Sequence, residues 1–141
     1  RQRQMCIRDS PGLVLYIVSL HMGWTKEVIP ATDAAKVPLL LVWSAANAFA
    51  EETVVVMWLL TRLKQLHVPV AGAIAASAVL RGTYHLYQGF SAGIGNIAMG
   101  VIFAYFYHRT GKVWPLILAH FLIDAVAYLG YLFFDLGWLG L

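Results

Sequence analysis

Apolar positions in this chain fall into five runs separated by short polar stretches, and within a run they cover every face instead of alternating with polar residues. Runs of this kind suit helices in lipid, where a helix satisfies its own backbone hydrogen bonds and needs about 20 residues to cross. The first run, Pro11 to Trp24, is short for a crossing, and the polar stretch after it, Thr25 to Lys36, contains Pro30, which breaks a helix. The second, Val37 to about Leu60, is long enough to span and ends in Arg62, Lys64 and His67. The third starts near Pro69, suited to a first helical turn, and continues to about Tyr87. Gly89, Ser91 and Gly93 predict a tight turn before the fourth run, from about Ile94 to Tyr107. His108 to Lys112 form a second basic turn, and the fifth run extends from Val113 to about Leu136 with Pro115 in its first turn.

The predicted fold class is all-α: a polytopic membrane helix bundle, with a four-helix core over residues 37–136 and a partial N-terminal membrane helix and loop over 11–36. Residues 137–141 form a tail. Residues 1–10, RQRQMCIRDS, are polar and aperiodic and read as a disordered, truncated or foreign start. In the third run Ala71, Gly72, Ala73, Ala75, Ala76 and Ser77 predict a seam of small residues along which two helices approach closely.

Composition strengthens this picture. Sixty per cent of the 141 residues are hydrophobic and 12 per cent charged, about half the charge a soluble domain carries. The net charge of +3 is small, and its basic residues sit in clusters between apolar runs. A nucleic-acid footprint needs a basic patch on one face, so nucleic acid is excluded as a partner and the lipid bilayer is the expected one. Alternating crossings put Arg62, Lys64, Arg109 and Lys112 on one side, whereas Lys26 and Lys36 on the other are offset by Glu27 and Asp33. The positive-inside rule makes loops 61–69 and 108–112 cytoplasmic. The single cysteine, Cys6, rules out an internal disulfide. His21, His67 and His108 fall at run ends, and Trp24, Tyr87, Tyr107, Trp114 and Trp138 suit aromatic belts.

Chemistry enters through ionisable residues inside the runs: Glu51 and Glu52, Arg81 and His85, and His120 with Asp124. An aspartate, lysine or arginine at the centre of a membrane helix opposes insertion by roughly 2.5–3.5 kcal/mol, so these groups must face one another or a wet cavity. His120 and Asp124, four apart, share a helix face, and Asn47 lies on the stripe of Glu51. Glu51 and Glu52 project about 100° apart and cannot both face one point, so one addresses the cavity while the other braces a neighbouring helix through Arg81. By helical rise, His85 lies deeper than the others, at roughly 24 Å from Pro69.

Two carboxylates and two histidines converging in a poorly hydrated site can do hydrolytic chemistry: a base to activate water, and a hydrogen-bond donor for an oxyanion. A metal ion would serve the same end, although no HExxH motif is present. Buried Glu, His and Asp chains also make proton relays, so a proton- or ion-translocating module is a rival reading.

An EE pair in one membrane helix, a histidine in the next and an HxxxN or HxxxD motif two helices later resemble the CPBP (CAAX protease and bacteriocin-processing, or Abi) intramembrane proteases, which include the type II CAAX prenyl endopeptidases. Here the pattern reads Glu51-Glu52, His85 and His120-Phe121-Leu122-Ile123-Asp124, within the core of residues 37–136. The resemblance implies an intramembrane endopeptidase of a bacterial plasma membrane acting on a membrane-associated, prenylated or lipidated peptide. It implies that Glu51 and His85 activate water, that Glu52 supports them, and that His120 and Asp124 steady the oxyanion or complete a metal site. It leaves open a divalent metal such as zinc, held by Glu51, His85 and His120, or glutamate and histidine chemistry without metal. The family's first motif usually continues EExxxR, where this chain has Val56, and its second is usually FxxxH, where this chain has Arg81. A charge is lost from one helix and gained on the next, so Arg81 is expected to supply the missing cation to Glu52. A non-catalytic membrane partner of bacteriocin-immunity type would also keep such a fold.

Overall fold

The computed structural model describes residues 34–133, together with Val18 and residues 21–24. The first run, the polar stretch up to residue 33 and the tail lie largely or wholly outside these. Among the described residues there are helices and no strands. A short 3₁₀ turn, Ala34–Lys36, leads into α1, a continuous helix over Val37–Gln65 with Pro38 in its first turn. It is followed by α2 (Val70–His85), α3 (Phe90–Thr110) and α4 (Trp114–Phe133).

The element boundaries follow from local chemistry. Pro69 sits at the N-cap of α2 with extended backbone (φ −54°, ψ 142°). Gly111 ends α3 in the left-handed conformation (φ 66°), donating its N–H to Tyr107 O. Only Gly89 makes the turn expected at 89–93: its φ of 116° is open to glycine alone, and α3 starts at the next residue. Ser91 and Gly93 are helical. Gly93 is small for another reason, because its Cβ would lie 2.6 Å from a Leu86 methyl and 3.3 Å from Gly82 O.

That close approach belongs to the contact between α2 and α3, the most extensive in the bundle; α1 packs on both α4 and α2. A Cβ on Gly82 would come within 2.9 Å of Gly93 O, and one on Gly100 within 2.8 Å of Ala78 Cα. The seam therefore runs through Ala73, Ser77, Ala78 and Gly82, all buried, whereas Ala71, Gly72, Ala75 and Ala76 face outward. Its small residues recur, as expected, but its centre lies about one turn further along.

α1 is not uniform. From Glu52 to Trp58 it widens into a π-helix before returning to α geometry at Leu59. Four consecutive β-branched residues, Thr53 to Val56, crowd the preceding turn. Ser77 Oγ on α2 donates to Val55 O at 2.7 Å, so a polar side chain serves a carbonyl inside the widened stretch.

Radially, polarity is reversed from a soluble domain. Arg81, Glu52, Val56, Ser44 and Ser77 are the largest fully buried side chains, while Leu39, Trp43, Trp58, Ile94, Ile102 and Val126 lie outside. The apolar core is small: Val56, Phe103 and Leu116, with Met99, Tyr107 and Ala119 against it. By length and composition, Val37–Gln65 and Phe90–Thr110 could each cross a membrane; the apolar stretch Trp114–Leu129 is shorter. An apolar exterior around a charged interior suits a lipid solvent, in which the exterior needs no polar cover.

Candidate active site

Glu52 opens the π segment of α1 and is completely buried. Its partner is Arg81 of α2, also completely buried: Arg81 Nη2 donates to Glu52 Oε1 in an ion pair and lies 3.6 Å from Glu51 Oε2. The guanidinium is backed by the Phe103 ring of α3, its carbon 5.3 Å from the ring centroid. From α4, His120 brings Nδ1 to 2.7 Å from the same Glu52 oxygen. A carboxylate paired with a guanidinium accepts, so this contact is an Nδ1–H donated by His120. Buried charges persist where they are paired and hydrogen-bonded, and three helices supply the pairing here.

Glu51, one residue earlier, faces the cavity. Its Oε1 accepts from Asn47 Nδ2, one turn earlier on α1, and its Oε2 from the Tyr84 hydroxyl, both at 2.9 Å. Asn47 thus holds the carboxylate from its own helix and Tyr84 from across the cleft. His85 ends α2 with Nδ1 at 2.9 Å from Arg81 O. A carbonyl only accepts, so Nδ1 carries a proton, which leaves Nε2 as the nitrogen able to accept. The Tyr84 and His85 rings lie against each other, 4.6 Å between centroids. Asp124 Oδ2 accepts from Ser44 Oγ at 3.0 Å and lies 3.8 Å from His120 Nε2, beyond hydrogen-bond reach.

These groups line one cavity of 490 Å³, whose walls include Ser44, Asn47, Glu51, Tyr84, His85, His120 and Asp124. Against Glu51, the depth mismatch expected for His85 is absent. Glu51 lies 14 residues from the end of its helix at Gln65 (65 − 51), and His85 lies 15 from the start of its own at Val70 (85 − 70). Similar counts of helical rise bring them to one level.

Other expectations change. Glu51 and Glu52 divide their roles as expected, one toward the cavity and one against Arg81, yet an oxygen of each falls in a group with His120 whose atoms are all within 4.8 Å. The angle between adjacent Cβ atoms does not separate them, because the π turn widens at Glu52 and glutamate has three rotatable bonds. The carboxylate orienting His120 is Glu52 of α1, not Asp124 one turn away, and Ser44 holds Asp124 instead. Sequence reasoning missed Ser44 and Tyr84. Ser44 lies three residues before Asn47 and seven before Glu51, so the polar stripe could have been extended back one turn. Nothing in the sequence singles out Tyr84 beyond its place beside His85.

The compact group that could hold a metal ion is Glu51, Glu52 and His120, without His85. In ligand type the set suits a divalent ion. As arranged it does not: the His120 nitrogen facing the carboxylates is protonated toward Glu52, and Arg81 is already the cation on that oxygen. A metal would have to displace both interactions, so no chemical step is derived through one.

No solved structure and no curated protein matches the chain. Residues 33–126, well over half of it, match the family described as Type II CAAX prenyl endopeptidase Rce1-like. That stretch contains Glu51, Glu52, Arg81, His85, His120 and Asp124. The chain therefore belongs to the Rce1-like type II CAAX prenyl endopeptidase family and is a membrane peptidase.

Proposed function

We propose that the chain hydrolyses a peptide bond in a membrane-associated peptide, prenylated or otherwise lipidated, that enters the 490 Å³ cavity. The observation that carries this reading is that Glu51 and His85 line one polar chamber, each already oriented. Glu51 is fixed by Asn47 and Tyr84, and His85 presents Nε2 because its Nδ1–H is committed to Arg81 O. A water between them would lose its proton to one of these two acceptors as its oxygen attacks the scissile carbonyl. The Tyr84 hydroxyl, already a donor in the cavity, stands where it could turn from Glu51 to the developing oxyanion. His120 could join it when Nε2 also carries a proton, since its Nδ1–H is held by Glu52. Arg81 and Glu52 are positioning residues. Arg81 neutralises Glu52 and holds His85 through its own carbonyl, so a single residue links both halves of the site.

The bundle is read as a multi-pass protein of a bacterial plasma membrane, with loops 61–69 and 108–112 on the cytoplasmic side. The cavity wall includes Tyr87 and Gln88, beyond the end of α2, so a substrate would enter from the end opposite the basic loops.

The test is cleavage of prenylated and unmodified peptides by the purified protein, with and without a chelator. Cleavage is expected to survive chelation and to fall by at least two to three orders of magnitude in Glu51→Ala, the range that general acid–base groups supply. Turnover retained by Glu51→Ala would remove the assignment, and loss on chelation with recovery on adding zinc would replace the metal-free mechanism.

A further inference from the structure

A second cavity, of 270 Å³, lies at the other end of the bundle, where the last turns of α1 and α3 meet the start of α2. Its floor is apolar: Leu60 from α1, Val68 from the connecting loop, and Val70, Ala73 and Ile74 from α2. Its rim is polar, with Lys64 from α1 and His108 from α3, and with the hydroxyls of Thr61 and Tyr107 beside them. Thr61 Oγ1 donates to Met57 O at 2.6 Å, which leaves it as an acceptor, whereas both Lys64 and His108 offer N–H donors.

Charge decides what this cavity suits. None of the carboxylates of the described residues lines it: Glu51 and Asp124 line the other chamber, and Glu52 is buried against Arg81. At this end the described residues contribute Arg62, Lys64, Arg109 and Lys112 with no acid among them. Arg62 is engaged by Gln65 Oε1 at 2.9 Å, and Lys64 is in no ion pair with a described residue. The cavity is thus amphipathic, with cationic donors at the level of the helix ends and an apolar slot running from them along α2. Its volume is at the lower limit for small-molecule sites, too small for a folded partner.

We propose that this cavity binds an anionic phospholipid, the phosphate on Lys64 and His108 and the start of one acyl chain against Leu60, Val68, Val70 and Ile74. A basic pocket between helices on the side rich in Lys and Arg is where such headgroups are held in other membrane proteins. The site shares no lining residue with the catalytic cavity, so occupancy is independent of whether the peptidase reading holds.

The protein in neutral detergent would be titrated with short-chain phosphatidylglycerol, phosphatidylcholine or inorganic phosphate, and bound lipid counted by native mass spectrometry alongside the unfolding midpoint. One phosphatidylglycerol is expected to bind and raise the midpoint, while phosphatidylcholine binds at least tenfold more weakly and phosphate alone leaves the midpoint unmoved. Lys64→Gln is expected to weaken phosphatidylglycerol binding about fivefold, the effect of one lysine near an anionic surface, and Lys64→Gln/His108→Gln to abolish it. Arg109→Gln removes the same charge from the same end outside the cavity and is expected to retain wild-type binding. Equal losses in Lys64→Gln and Arg109→Gln would reduce the effect to general surface charge and overturn the site. Protection by phosphate alone would replace the lipid with a free anion. Both Lys64 and His108 are exposed, so a folding defect is not expected to intervene.

Discussion

Arg81 and Val56 are best considered together. The related proteases usually carry the arginine four residues after the second glutamate of the pair, and here that position is Val56, completely buried against Phe103 and Leu116. Arg81 comes to the same carboxylate from α2 and rests on Phe103. The cation is kept while the helix that provides it has changed, because the requirement is electrostatic: a fully buried Glu52 needs a permanent positive charge beside it. Arg81→Met leaves that carboxylate with His120 alone. Removing one partner of a buried pair destabilises by about 3–5 kcal/mol, so a large fall in the unfolding midpoint and loss of cleavage are expected. Val56→Arg combined with Arg81→Phe restores the commoner arrangement, and it should recover part of both. An Arg81→Met protein as stable and active as the parent would make the ion pair incidental.

At the scale of elements, the widened stretch of α1 is the feature on which the site geometry depends. A π turn carries one residue more than an α turn, so it resets the face that everything before it presents. Deleting Val54, which is exposed, would let α1 run on as a regular helix; Glu51 would then rotate by about 100° relative to Leu60 and the C-terminal half. Cleavage should be lost while helix content by circular dichroism is kept; full activity in the deletion would show that the widening is dispensable. Ser77→Ala, which removes the donor to Val55 O, should weaken the bundle by about 1 kcal/mol. The widening was not legible in the sequence, since it depends on a hydroxyl from another helix, and four β-branched residues in a row also fit an ordinary apolar span. What was legible were the four core runs and the ionisable residues within them, because lipid tolerates such groups only at special positions. The seam was half legible: the small residues from Ala71 to Ser77 announced it, but Gly93, which the sequence suggests for a turn, serves the crossing because Gly82 lies opposite it. Gly100→Leu tests the crossing, since its Cβ alone would stand 2.8 Å from Ala78 Cα. Overpacking of this kind is expected to destabilise by about 1–3 kcal/mol or more, read as a lower unfolding midpoint.

For the whole molecule, the separation of charge by sign bears on the proposed orientation. Of the described acids, Glu51 and Asp124 line the larger chamber and Glu52 is buried in its ion pair with Arg81, whereas the described cations apart from Arg81 and Lys36 gather at the end formed by the α1–α2 and α3–α4 connections. Arg81 is neutralised within the chamber and adds nothing to that end. An apolar bundle with one basic end is expected to insert with that end in the cytoplasm, and under the proposed function this is the end opposite the cavity mouth. In a Cys6→Ser background, His67→Cys on the α1–α2 connection should react with a membrane-impermeant thiol reagent only in inside-out vesicles. Tyr87→Cys, beyond the far end of α2 and 69 per cent exposed, should react only in right-side-out ones. The reverse pattern would turn the bundle over and place the cavity mouth in the cytoplasm. Labelling of both positions from one side would mean that α2 does not cross, and the chamber would then have to be reached by substrate along the membrane surface instead of from the far leaflet.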